Sequence, residues 1–554
     1  MRSAWRASGR RRHRGQAAPL PRCAGRPAAG VSSDPPPSLL PPSRRGSTEA
    51  RERDAEGRLT DEPHPPGEYP VVVVGSGPGG LQISYSLRVL GVKHAVISAD
   101  ESAGGMFRKW PFFQRLLSWT KPYAPFEQGT REYERYDWNS LLPEEQDCRA
   151  LMCKMMDGTS YYPSRPEMQR NLEAFAARTG VAVRYRCRWT GTRRDGDRWV
   201  LETSDGEYRC QVPIFAVGVA EPWRPQIPGI EDVPHYAETR PAETYAGRRV
   251  FIVGKENSGF ELATGFLQWA RQIVLASPSP AKLSINTRSL VGVRARYVQP
   301  YEDHVLAGGV IVLDASIERV ERTGETFRVH TRKADSAAEL VFEVEDVIAA
   351  TGFTSPILDL PKLGVATVGR NKLPAQTPYW ESASVPGVYF GGTIHQASPG
   401  LRKHGMPSNS GGVNGHRYNG RILAREVARK HFGIDPERPV VSRAEIVSYL
   451  LGEVTNAPEL WHQKSYLARV LRRDPERGIV DDGILPLQSF LDSGPADAVA
   501  ATLEENPAGD IYPVLYTRRG GVSAEYDLPP HPLHDFRTRV HQKGVVEALA
   551  GLLL

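Results

Sequence analysis

The chain has 554 residues and a formal charge of +6, enough length for three or four domains of ordinary size. The positive balance belongs to residues 1–60, whose thirteen arginines, no lysine and five acids give +8 and leave −2 for the rest, so the folded part offers no nucleic-acid surface. No apolar run is long enough to span a bilayer, and the five cysteines, at 23, 148, 153, 187 and 210, form no C-x-x-C pair and no metal-binding pattern. A reduced, cytoplasmic setting follows.

Residues 1–65 are rich in Arg, Pro, Ala and Gly and almost free of aromatics, a composition that predicts a disordered tail. It has an Arg-Arg start but no apolar core, so no secretory signal fits; its arginine without lysine equally suits a start codon assigned too early in GC-rich DNA. An apolar strand from Tyr69 then runs into Gly75-x-Gly77-x-x-Gly80 and a helix that carries the small residue Ser84. This is the fingerprint of a dinucleotide site: Gly75 allows the tight turn, Gly77 lets a pyrophosphate approach the backbone, and Gly80 allows helix and strand to touch. The next strand, from His94, places Ser98 where a ribose-binding acid belongs, with Asp100 and Glu101 just beyond and Gly104-Gly105-Met106-Phe107 following. Lys109, Trp110, Trp119, Lys121 and Tyr123 come next and are candidates to line a pocket or to be core. Cys148 and Cys153 have the spacing of a redox disulfide but lie some forty residues after that glycine pair, so the spacing reads as coincidence.

A buried-type strand from Pro213 to Gly218 leads into a proline-rich connector, and a second strand, glycine turn and helix follow at Gly254-Lys-Glu256-Asn257-Ser258-Gly259. Two nucleotides are therefore expected. Glu256 stands where the middle glycine belongs, and a carboxylate there opposes a phosphate; either the loop turns it outward, the favoured reading, or this half binds its nucleotide weakly or not at all. The strand Gln272 to Ser277 lacks a terminal acid, which favours NADPH over NADH, with Ser277, Ser279, Lys282 and Arg288 able to meet a 2′-phosphate. The strand from Glu345 ends at Ala350-Thr351-Gly352-Phe353, and a last strand at Gly387 to Gly392 precedes Asn409-Ser-Gly-Gly, which opens a helix. Beyond 433 the sequence predicts a helix over 443–451 and a hairpin from Ile511 to Tyr526 turning at Arg519-Gly520-Gly521.

Together Gly75-x-Gly77-x-x-Gly80, Gly104-Gly105-Met106-Phe107 in place of G-G-x-W, His235-Tyr236 after Pro228-Gly229, Asn257-Ser258-Gly259 and Ala350-Thr351-Gly352-Phe353 resemble the flavin-dependent monooxygenases with an inserted NADPH domain, and the FAD-dependent oxidoreductase-domain proteins. The resemblance covers roughly residues 70–430. It implies an α/β fold of two Rossmann-like domains, an FAD-binding domain over 66–245 and 341–432 interrupted by an NADPH-binding domain over 246–340, with a small α+β appendage over 433–554. It implies cofactor contacts at Gly75, Gly77, Gly80, Ser98, Asp100, Gly105, Met106, Phe107, Gly254, Asn257, Ser258, Gly259, Arg288, Thr351, Gly352 and Gly392, and a final helix whose N-terminus faces the flavin pyrimidine. It also implies the chemistry: NADPH reduces FAD, molecular oxygen adds at flavin C4a, and the peroxide passes one oxygen atom to a small nucleophilic substrate. Arg294, Arg296, Arg402 and Lys403 are candidate substrate contacts suited to a carboxylate, as in amino-acid N-oxygenases that form nitrosuccinate from aspartate in natural-product biosynthesis. The alternatives are a flavoprotein reductase or oxidase that passes electrons to a partner or to oxygen, and a nucleotide-binding protein without turnover. Self-association is compatible with either enzyme.

Overall fold

The computed structural model describes residues 63–109, 115–284, 292–298, 309–369, 373–398, 400, 403–405 and 408–554. The tail expected over 1–65 lies, apart from its last three residues, outside the described residues. The first sheet starts with β1 (Gly67–Val74), followed by α1 (Pro78–Val89) and β2 (His94–Ile97). Pro78 opens α1 at a position whose N–H needs no partner, and Gly91, at φ +73°, turns the chain out of it. Leu81, Ile83 and Leu87 of α1 are fully buried, each worth about 1.5–3 kcal/mol against exposure.

After the short α2 (Leu151–Met155), α3 (Arg165–Thr179) begins with a reciprocal cap in which Ser164 and Glu167 bond each other's backbone, and ends at Gly180 in the left-handed region. A meander of β3 (Trp189–Asp195), β4 (Arg198–Thr203) and β5 (Gly206–Phe215) completes the order β2-β1-β5-β4-β3. The chain then crosses by β6 (Glu221–Pro222) to a second sheet, β7 (Arg249–Val253), α4 (Asn257–Phe266), β8 (Gln272–Ser277), β9 (Val310–Thr323), β10 (Thr326–Lys333), β11 (Glu339–Val344) and β12 (Asp346–Ala349), in the order β11-β10-β9-β8-β7-β12. The second sheet thus continues through Ala349, beyond the boundary expected at 340, because β12 pairs parallel with β7 from Asp346 opposite Val250.

The chain crosses back by β13 (Phe353–Thr354), which pairs antiparallel with β6. A small pair, β14 (Thr367–Val368) with β15 (Leu373–Pro374), precedes β16 (Tyr389–Phe390), which returns to the first sheet parallel to the end of β5. The helix Val413–Phe432 then lies against α1, where Gly420 lets the two come together at Ile83.

Beyond it stand the helices Ile446–Asn456 and Pro458–His462 and a five-stranded antiparallel sheet: β17 (Leu467–Asp474), β18 (Gly478–Pro486), β19 (Ala498–Glu505), β20 (Ile511–Arg519) and β21 (Val522–Asp527), in the order β18-β17-β19-β20-β21. The expected hairpin is β20–β21, turning at Gly520 and Gly521 with φ +53° and +88°. The expected helix over 443–451 starts and ends later, at Ile446 and Asn456. One hydrophobic cluster joins Val71, Leu81 and Ile83 to Leu450, Leu467, Val499 and Leu549, so this last module shares its core with the first sheet. The mixed α/β architecture, two sheets that each carry a parallel strand–turn–helix unit, is the pair of Rossmann-like domains that the sequence implied. Among the described residues no helix is long and apolar enough to cross a membrane, and no cluster of metal-ligating side chains occurs.

Candidate functional site

The first glycine turn is closed on three sides and open on one. A Cβ on Gly75 would meet the Ala216 carbonyl oxygen at 2.5 Å, one on Gly80 the Gly75 oxygen at 2.0 Å, and one on Gly79 the Cα of Gly392 at 2.3 Å; one on Gly77 meets nothing within 4 Å. The open side lies before the N-terminus of α1, whose free N–H groups carry a partial positive charge, the arrangement a pyrophosphate needs. Gly104 donates its N–H to the Ser76 oxygen (2.9 Å), which brings Gly105, at φ +57°, to the Gly77 backbone. At the end of β2 the buried Ser98 accepts from the Ser76 hydroxyl (2.8 Å) and donates to Asp100 (3.3 Å). Asp100 is thus the carboxylate nearest the expected ribose position, and Lys109 pairs with it at 3.1 Å. Met106 and Phe107 form a single 3-10 turn, and Phe107 belongs to the hydrophobic core.

The second turn repeats the build. Gly254 lies at φ +116° with the Ala350 oxygen 2.4 Å from its Cβ position, and Gly259 would meet the Gly254 oxygen at 2.3 Å. Glu256 is the N-cap residue of α4 and makes no side-chain cap; although its surface is exposed, desolvation pushes its carboxyl up, with the Lys282 charge opposing. Lys255 instead turns inward and is buried on the Leu313 oxygen and the Asp314 carboxylate. Asn257 accepts from the Arg294 N–H (3.1 Å) and donates to the Gly292 oxygen (2.8 Å), which draws Arg294 up to the first turn of α4 beside Ser258. The Arg294 Nε is buried without a partner among the described residues. Arg288 lies outside the described residues.

Thr351 and Gly352 hold the crossing. The Thr351 hydroxyl donates to the Trp223 oxygen, and the Gly352 oxygen accepts from Trp223 N and from His235 Nε2, each at 3.0 Å.

Two expected substrate contacts have partners within the protein. The Arg296 guanidinium donates to the Arg115 and Leu116 carbonyls (3.0 and 2.6 Å) and stacks on Tyr162. Lys403 is paired with Glu525 and Asp527 of β21. Arg402 and Trp110 lie outside the described residues. Trp119 packs on Trp138, and Tyr123 is 89% exposed, so neither has the setting expected of a pocket wall. Cysteines 148, 153, 187 and 210 are free. Burial and the nearby Asp137 charge push the Cys153 thiol up to about 12, and its sulfur contacts the Tyr133 hydroxyl.

The sequence reading passed over two buried histidines beside this site, His395 in the turn after Gly392 and His416 in the first turn of the Val413 helix. Burial lowers them to about 3 and 4, so both are neutral imidazoles at neutral pH. Their only signal was a histidine three or four residues after a glycine pair, Gly391-Gly392 and Gly411-Gly412. Nearby on β19, buried Glu504 is bonded to Ser465 and raised to about 7 by desolvation. A raised acid contributes stability fully at low pH and loses it as pH climbs through the folded value. Glu504→Gln is therefore expected to match the parent in unfolding free energy at pH 4 and to exceed it at pH 8, by about 2 kcal/mol; equal values at both pH values would refute the burial of a charge there.

A family model described as pyridine nucleotide-disulphide oxidoreductase matches residues 72–392, more than half of the chain. The chain belongs to this family. The expectation of an oxidoreductase that uses a flavin and a pyridine nucleotide agrees with that family. The chain is 27% identical over 436 residues to the mouse FAD-dependent oxidoreductase domain-containing protein 2, covering 72% of this chain and 64% of the relative, so it spans just under two thirds of that protein. It is 26% identical over 200 residues to rice indole-3-pyruvate monooxygenase YUCCA1, covering 35% of this chain and 43% of the relative. Among solved structures, the bacillithiol disulfide reductase Bdr (YpdA) from Staphylococcus aureus superposes with a TM-score of 0.51 at 13% identity, covering 66% of this chain and 99% of that one.

Proposed function

We propose that this family member is an FAD-dependent, NADPH-using monooxygenase that passes one atom of molecular oxygen to a small nucleophilic substrate in a reducing compartment such as the cytoplasm. The observation that carries the reading is the pair of like-built glycine turns, of which the first is open only at Gly77. The residues present suit the cofactors. Gly75, Gly77, Gly80, Gly105 and Gly392 would bring backbone close to the FAD pyrophosphate, and Ser98 and Asp100 would meet its ribose. Gly254, Asn257, Ser258 and Gly259 would receive NADPH, with Arg294 at hand for a phosphate. Flavin supplies the hydride acceptance and oxygen activation that no side chain can. The protein's part is to orient the nicotinamide, to keep His395 and His416 neutral beside the site, and to exclude water. Because Arg296 and Lys403 have partners of their own, the carboxylate of an amino-acid substrate such as aspartate would fall to Arg294, whose Nε is buried without a partner among the described residues. The raised Cys153 thiol and its hydroxyl contact weigh against dithiol chemistry in spite of the family's description.

The test is anaerobic mixing with NADPH and then with oxygen. Bleaching of the flavin followed by a transient band to the blue of the oxidised spectrum supports the monooxygenase, direct return of the oxidised spectrum favours a reductase or oxidase, and no bleaching refutes both. Glu256→Gly is expected to leave the NADPH KM within about twofold if the exposed side chain turns away from the pyrophosphate; a marked fall in KM would show a carboxylate facing it.

A further inference from the structure

The segment between β16 and the Val413 helix is held from outside the nucleotide-binding core. Gly400 lies so close to Tyr466 that a Cβ there would meet the ring at 2.6 Å. Lys403 pairs with Glu525 and Asp527, and His404 meets the Tyr512 hydroxyl at 2.9 Å. Nearer the helix, the fully buried Gln463 donates to the Ser410 hydroxyl (3.1 Å) and to the Asn419 side-chain oxygen (2.7 Å), while Asn419 donates to the same Ser410 hydroxyl at 3.0 Å. His462 lies 3.3 Å from the Asn414 amide. Every one of these outside partners, Gln463, His462, Tyr466, Tyr512, Glu525 and Asp527, belongs to the last module.

The turn they grip sets the start of the helix. Gly412 donates to the Asn409 oxygen, His416 closes on the Gly412 oxygen at 3.0 Å, and a Cβ on Gly415 would meet the Asn409 oxygen at 2.1 Å. Residues 409–410 therefore press on the first helical turn with no slack, and a shift of Ser410 moves that turn.

We propose that Gln463 is a positioning residue for the flavin: by fixing Ser410 and Asn419 it aims the N-terminus of the Val413 helix, so the last module is part of the flavin site. This rests on the reading of the chain as an FAD enzyme with that helix end toward the pyrimidine ring. A helix N-terminus favours negative charge, and reduction places negative charge on the pyrimidine side, so the aim of the helix bears on potential as well as affinity.

Gln463→Leu keeps the volume and removes both hydrogen bonds; Ser410→Ala, the gentler variant, removes only the hydroxyl they share. Each is expected to raise the FAD Kd of the apoprotein by about tenfold, to move the flavin midpoint potential to more negative values, and to speed amide exchange over residues 409–416 in the flavin-free protein, with the NADPH Kd unchanged. A folded variant whose FAD Kd, potential and exchange all equal the parent's overturns the inference. A parent that takes up no FAD overturns the flavin reading itself, and faster exchange in its variants would then leave the clamp standing without a cofactor to aim at.

Discussion

Gly77→Ala is expected to yield a protein that melts as the parent apoprotein does and is purified colourless. The backbone at Gly77 is extended, at φ −70° and ψ 177°, which alanine adopts without strain, and the added methyl group meets no protein atom within 4 Å. The loss falls on the ligand, since the methyl occupies the space where a pyrophosphate would approach the N–H groups of α1. A weakening of FAD on the order of 100-fold, or about 3 kcal/mol, is expected from titration of the apoprotein. Gly80→Ala should behave in the opposite way. Its methyl would lie 2.0 Å from the Gly75 oxygen, so β1 and α1 must separate and the apoprotein itself loses stability. A Gly77→Ala protein as yellow as the parent would remove the nucleotide from this turn.

Arg469→Met is expected to destabilise the protein by about 3–5 kcal/mol in urea unfolding. Arg469 donates to Glu453 at 2.7 Å and to Asp481 at 3.0 Å, and Glu453 is shared with Arg131, which also holds Glu459 at 2.9 Å. The carboxylates of Glu453 and Asp481 are buried, so removing the arginine leaves negative charge in a poorly solvated interior. Replacing only the cation is therefore far worse than replacing the set; Arg469→Met combined with Glu453→Gln and Asp481→Asn should recover most of the loss. A single variant within 1 kcal/mol of the parent would show that water reaches these groups.

Both glycine turns were legible because their chemistry is local: a strand, three glycines and a helix within one stretch leave few other conformations. The second sheet's true end at Ala349 was not, since β12 reads as a continuation toward Thr351 and only its pairing with β7 assigns it. The partners of Arg296 and Lys403 were not legible for the same reason. A cation's partner is fixed by tertiary placement, and Lys403 finds Glu525 from 122 residues away. The last module escaped a strand-by-strand reading because β19 is buried along nearly its whole length and shows no alternation between faces. One of its bonds to the rest of the chain, Arg131 with Glu453, spans 322 positions and leaves no periodic trace.

The two crossings between the sheets, β6 and β13, run side by side as a ribbon two residues long. The chain therefore enters and leaves the second sheet at one place, and a substitution that parts one crossing also strips the other of its partner. The Arg296 guanidinium, seated on the carbonyls of Arg115 and Leu116, is a further tie between the two parts, beside Leu117 packed on the core of the second sheet.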